Sequence, residues 1–272
     1  MPELPEVETI LRALAPALTG RRIERVELFS PKMRTPLAPL REELPGRTIL
    51  AVRRRARYIV AKLDNGYGLV MHFGMTGVVR VESPEVPRRK HEHVFLYLDN
   101  GLVFRFECAR RFSVLEVQPL NANDDPPVFL SFGPEPLEDG FSPDYLYTRS
   151  RGVKQAVKPF LMDNGVVTGI GNIYATETLF AARVSPLKQA SRLTRPACRR
   201  IVENARRVLQ EAIRQGGTTI ADFRHVDGTE GQFAVNLQIY GKAGCPCPVC
   251  GNLLKAAKQG GRTTVYCPHC QR

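Results

Sequence analysis

The chain has 272 residues, 43% of them hydrophobic and 24% charged, which allows two ordinary globular domains and excludes a disordered chain. It contains no apolar run of the roughly 18 residues that a membrane-spanning helix needs, and its acidic, proline-rich start is unlike a signal peptide, so we expect a cytoplasmic protein. The net charge of +12 favours a polyanionic partner, nucleic acid first and a membrane surface second.

The first predicted element is an amphipathic helix over 6–18, where apolar residues recur at helical spacing and Gly20 follows as a stop. Beyond it, short runs rich in β-branched and aromatic residues alternate with turn signals that are typical of β-hairpins. Many short strands at this spacing predict a β-sandwich. The predicted strands are 23–29, 48–52, 58–63, 68–72, 78–81, 94–98, 102–106 and 113–117.

The rest of the chain predicts helices and then a β-hairpin. Residues 121–144 are rich in Pro, Asp and Asn, which is typical of a hinge between domains. Helical periodicity returns over 153–215, and the final residues form strands and turns around cysteines. The expected fold class is therefore α+β and multidomain, with domains at 1–120, 145–235 and 236–272 joined by the 121–144 hinge.

The positive charge is clustered along the chain. Basic residues crowd into 53–57, 88–90, 110–111 and 199–200, and no acidic residue follows Glu230. One-sided charge of this kind is typical of a surface that contacts phosphates. The alternative is a basic protein whose charge serves solubility alone.

The C-terminal cysteines predict a metal site. Two Cys-x-x-Cys pairs separated by 16 residues have the spacing of a structural zinc site, in which each pair forms one knuckle of a tetrahedron. A closed shell of four thiolates leaves no open position for catalysis, so we expect one structural zinc ion. Cys245 is a spare thiol that could exchange with Cys247 as a ligand. The predicted ligands are Cys247, Cys250, Cys267 and Cys270.

The start of the chain offers a reactive amine. If Met1 is removed, Pro2 becomes a terminal secondary amine, a group that is partly neutral and nucleophilic near neutral pH. Its attack on an aldehyde-like carbon would form an iminium ion, an electron sink that makes the neighbouring proton acidic. Glu3 lies beside it and could move protons. The alternative is that Pro2 has no chemical role.

Segments spread over the whole chain resemble bacterial formamidopyrimidine-DNA glycosylases of the formamidopyrimidine-DNA glycosylase and endonuclease VIII family. They follow one another in the family's order from residue 2 to residue 270. The matching segments are PELPEVET at 2–9, HFGMTG at 72–77, KHEH at 90–93, ARRF at 109–112, GPEPL at 133–137, KPFLMDN at 158–164, GNIYA at 171–175, YGK at 240–242, the zinc cysteines, and GRTT at 261–264.

This resemblance implies an enzyme of base-excision DNA repair. Members of this family excise 8-oxoguanine and formamidopyrimidines from double-stranded DNA and then cut the strand by β,δ-elimination. The implied fold is an N-terminal β-sandwich with a flanking helix, a central helix–two-turn–helix domain and a C-terminal four-cysteine zinc β-hairpin. The implied partner is damaged duplex DNA, with no nucleotide cofactor and no membrane, and we expect a monomer associated with the bacterial nucleoid.

The resemblance also assigns chemistry to single residues. Pro2 would attack C1′ of the damaged nucleotide and form a Schiff base, with Glu3 as proton donor. Arg262, on the hairpin between the zinc knuckles, matches the arginine assigned to phosphate binding and to the final elimination. Arg57 stands where the family commonly has a lysine, and because arginine does not readily release a proton, an acid role at this position is in doubt.

Three residues match the wedge that fills the duplex after a nucleotide is flipped out. Phe112 would unstack the bases, Met75 would fill the gap and Arg110 would read the orphaned base. The alternative for Met75 and Phe112 is packing in the core. Gly74 and Gly77 on either side of Met75 favour an exposed loop tip instead.

Further residues match the family's DNA contacts. Lys158 and Asn172 of the helix–two-turn–helix element, and His91 of the N-terminal domain, would bind phosphates beside the lesion. Glu177 is expected to cap a helix or position its neighbours. A loop that closes over the flipped base, largely through its backbone amides, corresponds to Thr218, Thr219, Ile220, Ala221, Asp222 and Phe223.

One more departure from the family concerns the wedge. The family's usual aspartate two residues before the wedge arginine is Cys108 here, so Arg110 is held differently and the preference for the opposite base is open.

Two other functions remain as alternatives. An endonuclease VIII-like enzyme would prefer oxidised pyrimidines, but that branch usually opens Pro-Glu-Gly-Pro-Glu, whereas Leu4 and the Arg-Arg-Phe wedge here favour the purine branch. A non-catalytic DNA-binding protein would share the zinc site and the charge. It would have no need of Pro2 and Glu3.

Overall fold

The structure is a computed structural model that describes residues 1–217 and 237–272. The described residues form two compact units, Met1–Leu130 with 216–217 and Ser131–Gln215 with 237–272. In these two ranges no helix has both the length and the apolar character needed to cross a bilayer. The base-covering loop expected at 218–223 lies outside the described residues.

Helix α1 (Leu4–Leu18) opens the first unit and begins two residues earlier than its apolar periodicity predicts. The earlier start has a local cause, because Glu3 and Glu6 form a capping box in which the Glu3 backbone N–H donates to Glu6 Oε2 at 2.8 Å. Pro5 stands in the first turn, where its missing N–H costs no hydrogen bond. The apolar face of the helix is buried along its whole length.

Eight antiparallel strands form the two sheets of the first unit, as the sequence predicts, with ends within three residues of the predicted ones. One sheet has the order β1-β6-β7-β5 and the other β2-β3-β4-β8. One continuous core contains side chains of both sheets and of α1, which makes the unit a sandwich with a flanking helix. The strands are β1 (Ile23–Leu28), β2 (Ile49–Arg55), β3 (Tyr58–Leu63), β4 (Tyr67–His72), β5 (Gly77–Glu82), β6 (Glu92–Leu98), β7 (Val103–Cys108) and β8 (Val114–Pro119).

A short helix in the first unit was not predicted. Helix α2 (Ala38–Glu43) has six residues, of which only Leu40 is buried, so its sequence carries no helical periodicity to detect.

The second unit is helical and ends in a β-hairpin. Helix α3 begins inside the predicted hinge because Ser142 caps it, accepting the Tyr145 N–H at 3.1 Å. A separate core lies among the helices, and a small third core packs beneath the hairpin. The elements are α3 (Pro143–Ser150), α4 (Val157–Leu161), α5 (Asn172–Ala181), α6 (Arg195–Arg214), β9 (Lys255–Gln259) and β10 (Arg262–Tyr266).

Candidate functional site

The start of the chain is held against the first unit. Pro2 and Glu3 are buried immediately before α1, and the capping box fixes the backbone there. Glu3 is 4% exposed and Glu6 is 1% exposed. Both residues lie at the start of α1, within about one helical turn of Pro2, so two buried carboxyl groups are near the proline. A Cβ on Gly217 would lie 2.9 Å from Glu6 Oε1, so the backbone of Gly217 packs closely on this turn. An amine at Pro2 would therefore have a fixed position, with a carboxyl group beside it.

Arg57 and His72 occupy the same region of the first unit. Arg57 lies in the turn between β2 and β3, and His72 ends β4 with its ring centroid 4.6 Å from that of Tyr58. Burial, together with the positive charges of Arg57 and Arg34, lowers the pKa of His72 to about 4. The Gly74 N–H donates to His72 Nδ1 at 3.2 Å, so the neutral ring carries its proton on Nε2. In the sequence, His72 stands only at the start of a matching segment, and its burial beside cations cannot be read from that motif.

The three expected wedge residues come together at an exposed tip. Met75 is 45% exposed and Phe112 51% exposed, so the alternative that they pack in the core is wrong. Arg110 Nη1 lies 3.5 Å from Met75 Sδ, and its guanidinium lies 5.0 Å from the Phe112 ring centroid. Arg111, between Arg110 and Phe112, adopts a φ of 55°, a strained conformation that turns the chain at the tip.

A compact base holds the two loops of this tip together. The Ser113 hydroxyl donates to Phe73 O at 2.8 Å and lies 3.0 Å from Cys108 Sγ, joining the loop before β8 to the loop after β4. A Cβ on Gly77 would lie 2.4 Å from Phe73 O, and one on Gly74 would lie 2.8 Å from the backbone of the opposite loop. Both glycines are thus required by close approach.

The position of Cys108 shows how Arg110 is held. Cys108 is fully buried, and its sulfur lies 3.9 Å from Thr76 Oγ1. That hydroxyl accepts the backbone N–H of Arg110 at 3.2 Å. The guanidinium contacts the thioether of Met75 and the ring of Phe112.

In the second unit, Lys158 and Asn172 are in direct contact. Lys158 is 1% exposed, and its Nζ donates to Asn172 Oδ1 at 2.6 Å and to Thr264 Oγ1 at 2.9 Å. It also lies 3.3 Å from Thr263 O. Because the ammonium occupies Oδ1, the Nδ2 donors of Asn172 point the other way, where one reaches the Tyr240 hydroxyl at 3.4 Å. The ammonium thus joins the start of α5 to β10.

Glu177 positions the chain around Tyr240. This buried carboxylate on α5 accepts the backbone N–H groups of Gln238, Ile239 and Tyr240 at 2.8 to 3.0 Å. Of the two roles expected for it, helix capping or positioning, the contacts are those of a positioning group.

Arg262 is the exposed first residue of β10. It lines a cavity of about 230 Å³ together with Lys158 and five further residues of the same unit, Pro159, Met162, Gln259, Gly260 and Thr264. The exposed cation of Arg262 at this cavity fits an anionic group such as a phosphate.

The four cysteines of the hairpin module converge. The Sγ atoms of Cys247 and Cys270 are 3.9 Å apart and those of Cys250 and Cys267 are 3.5 Å apart, and all four lie within 4.8 Å of one another. A tetrahedral zinc with Zn–S bonds of about 2.3 Å needs S···S separations of about 3.8 Å, so the donor set fits one zinc ion. Cys245 is exposed and lies outside this group.

Apart from the zinc cysteines, three groups of expected site residues come together in the part of the chain that the structure describes. The first unit brings together Pro2 with Glu3 and, at the tip, Met75 with Arg110 and Phe112. The second unit brings Lys158 to Asn172 and to the cavity that Arg262 lines. His91, the remaining expected DNA contact of the first unit, lies between β5 and β6 and is half-buried.

Three protein families match successive parts of the chain. Residues 1–115 match the formamidopyrimidine-DNA glycosylase N-terminal domain and residues 132–224 match the formamidopyrimidine-DNA glycosylase H2TH domain. Residues 244–272 match a zinc finger found in FPG and IleRS.

Proteins named formamidopyrimidine-DNA glycosylase are similar to this chain over its full length. Those of Stenotrophomonas maltophilia and Alcanivorax borkumensis are 48% and 46% identical, with 100% of both chains covered. Among solved structures, a Lactococcus lactis FPG mutant in complex with Fapy-dG containing DNA is 32% identical with a TM-score of 0.90, over 100% of both chains. MutM in complex with carbocyclic 8-oxo-G containing DNA is also 32% identical, with a TM-score of 0.89 over 100% of both chains.

Proposed function

The chain belongs to the formamidopyrimidine-DNA glycosylase family, and we propose that it repairs DNA by base excision. It removes oxidised purines, such as 8-oxoguanine and formamidopyrimidines, from duplex DNA and then cuts the strand as an AP lyase. Full-length relatives carry the name of this glycosylase, and similar solved structures contain DNA with Fapy-dG or 8-oxo-G. The observation in this chain that carries the proposal is Pro2, buried beside two carboxyl groups at the start of α1.

The chemistry begins at Pro2 after removal of Met1. Its secondary amine attacks C1′ of the damaged nucleotide, the bond from C1′ to the base breaks, and the base leaves with a proton. Glu3 supplies protons to the sugar as its ring opens and the iminium ion forms. The iminium acidifies the C2′ proton, and successive β- and δ-eliminations expel the 3′ and 5′ phosphates. The capping box supports this role because it holds the nucleophile in one place.

The exposed tip serves the opened duplex. A flipped nucleotide leaves a gap, which Met75 fills while Phe112 unstacks the neighbouring bases and Arg110 faces the orphaned base. The exposure of Met75 and Phe112 supports this role, because a wedge must be free to enter DNA. The closely packed base beneath the tip supports it too, since insertion requires a rigid support.

Phosphates bind in the second unit through an oriented amide. Because Lys158 is 1% exposed, we assign it an indirect part: it fixes the Asn172 carboxamide so that Nδ2 donates outward to a phosphate. Arg262 contributes a direct cation at the adjacent cavity. His91 contributes a further phosphate contact from the first unit.

The four cysteines bind one structural zinc ion. Its closed thiolate shell has no open position for a substrate, so its contribution is to stabilise the hairpin that carries Arg262. The protein acts on damaged duplex DNA, and since that substrate is the genome we place it on the bacterial nucleoid as a monomer.

Borohydride trapping tests the proposed function. The protein, shown by intact mass to lack Met1, is incubated with duplexes that contain 8-oxoguanine or an oxidised pyrimidine, and borohydride reduces any iminium to a stable adduct. We expect a strong adduct with 8-oxoguanine and a weaker one with the pyrimidine. The Pro2→Gly variant should form little adduct, yet it should still bind a duplex with an uncleavable abasic analogue.

The outcomes separate the candidate functions. An adduct that forms mainly with the oxidised pyrimidine would favour the endonuclease VIII-like enzyme. No adduct with either lesion, despite tight DNA binding, would favour the non-catalytic protein. An undiminished adduct in Pro2→Gly would refute Pro2 as the nucleophile.

A further inference from the structure

The segment between β5 and β6, residues 83–91, carries Lys90 and His91 and is fastened to the sheet by buried charged side chains. We propose that Arg105 is a positioning residue for this segment, holding its backbone so that His91 and Lys90 meet a DNA phosphate. The proposal rests on the proposed function, because it takes duplex DNA as the substrate.

Arg105 lies on β7 and is fully buried. Its Nη2 donates to Ser83 O at 2.9 Å and to Val86 O at 2.7 Å, and Pro84 O lies at 3.4 Å. The guanidinium also lies 4.5 Å from the Phe95 ring centroid on β6. Since its donors are fixed in one plane, a single side chain gathers several carbonyls of the segment and fixes the path of its turn.

Glu92 fastens the other end of the segment. It is fully buried, and its Oε2 accepts the Arg89 backbone N–H at 2.7 Å and lies 3.6 Å from Arg105 Nη1. Its Oε1 lies 2.8 Å from Arg89 Nη1. Glu82 Oε1 lies 3.3 Å from Arg105 Nη1 and also pairs with Arg89. The whole cluster is formally neutral and consists of Arg80, Glu82, Arg89, Glu92, Arg105 and Glu107.

Backbone contacts extend this support to His91. Arg88 Nη1 donates to Glu92 O at 3.2 Å. Beside it, the Cys108 N–H donates to His91 O at 2.9 Å, and the His93 ring Nε2 lies 3.0 Å from Cys108 O. The end of β7 thus holds the backbone at His91, while the imidazole of His91 remains half-buried at the surface.

The free-energy cost of burying these charges indicates that the cluster serves to position the segment. Burying charged groups removes them from water, and a buried ion network adds little stability over apolar side chains of the same volume. What such a network does supply is one well-defined geometry, since each charge tolerates few arrangements of its partners. A segment that presents cations to a phosphate needs that geometry.

Arg105→Lys and Arg105→Met test the proposal, with Arg25→Met as the control. Arg25 on β1 pairs with a glutamate, Glu27, and lies over a ring, at 3.6 Å from the Tyr97 centroid. The control therefore removes an ion pair and a ring contact away from the segment, and it leaves the carbonyl contacts of Arg105 in place. Arg105→Lys keeps the positive charge and removes the planar guanidinium group with its several N–H donors. We expect it to weaken binding to a duplex with an uncleavable abasic analogue about tenfold, with the single-turnover cleavage rate within about twofold. Amide hydrogen exchange over 83–91 should become faster, and Arg25→Met should change none of these.

A double-mutant cycle with His91→Ala gives the decisive result. If Arg105 acts through His91, Arg105→Lys should add less than about twofold to the loss of binding in a His91→Ala background. Fully additive losses, or unchanged exchange over 83–91, would overturn the proposal. If Arg105→Met fails to fold, the lysine variant alone decides. A parent protein that binds DNA but cleaves no lesion would count against the proposed function, while the exchange and binding measurements would still test Arg105.

Discussion

Replacing Lys158 by methionine separates an orienting role from a direct phosphate contact. Methionine has nearly the same length and no charge, so the substitution removes the ammonium and keeps most of the packing. The Thr264 hydroxyl retains its bond to Gln259 Oε1 at 2.9 Å, so the main loss falls on Asn172 Oδ1. That oxygen, 2.6 Å from the ammonium at present, would have no donor in its place.

The size of the effect follows from these contacts. An orphaned acceptor costs roughly 1–3 kcal/mol when it is buried. Asn172 is only half-buried, and removal of a buried ammonium offsets part of the cost, so the loss lies at the lower end of that range. We expect the free energy of unfolding to fall by about 1–2 kcal/mol, which lowers Tm by roughly 4 °C. The Asn172 carboxamide would be free to turn over, and affinity for a lesion duplex should fall about tenfold.

The salt dependence of binding decides between the two roles. An orienting ammonium leaves the number of phosphate-bound cations unchanged, so the slope of log K against log salt should be that of the parent. Lys154→Met, at an exposed lysine of the same unit, serves as the control for loss of one charge. If the slope in Lys158→Met were shallower than that of the parent by about one, with unchanged Tm, the orienting role would be refuted and direct contact with a phosphate favoured.

Three further predictions address zinc, the wedge and pH. Cys250→Ser should lose the zinc, as measured by metal analysis, and should bind DNA at least about tenfold more weakly. The control Cys245→Ser should retain one zinc ion. Tight DNA binding by the metal-free protein would contradict this prediction. Gly77→Ala should lower the free energy of unfolding by about 1–3 kcal/mol and slow single-turnover cleavage, because the alanine Cβ would lie 2.4 Å from Phe73 O. An unchanged Tm would show that the backbone at the tip shifts to accommodate the methyl group. The folded pKa of His72 is about 4, below its ordinary value, so the unfolded chain takes up a proton first and stability should fall as pH drops from about 6.5 to 4. This loss, at most about 3 kcal/mol, should be absent in His72→Gln when unfolding is followed across that pH range.

Local patterns in the sequence were enough for α1, the eight strands of the first unit and the metal ligands. The eight strands follow from alternation and turn residues, and α1 follows from helical spacing, because each pattern involves neighbours along the chain. The four cysteine ligands are likewise set by spacing within two short knuckles. Resemblance to a family added the candidate roles of Pro2, Arg110 and Asn172, which composition and periodicity do not contain.

The tertiary structure decided which side chains meet and which remain accessible. Lys158 is one more cation in the sequence, yet in the structure it is buried in contact with Asn172 and with Thr264 of β10, and the orienting role that we propose rests on those contacts. Arg105 is a charge inside an apolar strand, and its partners come from the preceding segment and the adjacent strand. Pairing across strands and between helices joins residues far apart in the chain, so no local pattern records it. The sequence by itself therefore determined α1, the eight strands and the zinc ligands, whereas long-range packing decided the positions of the charges.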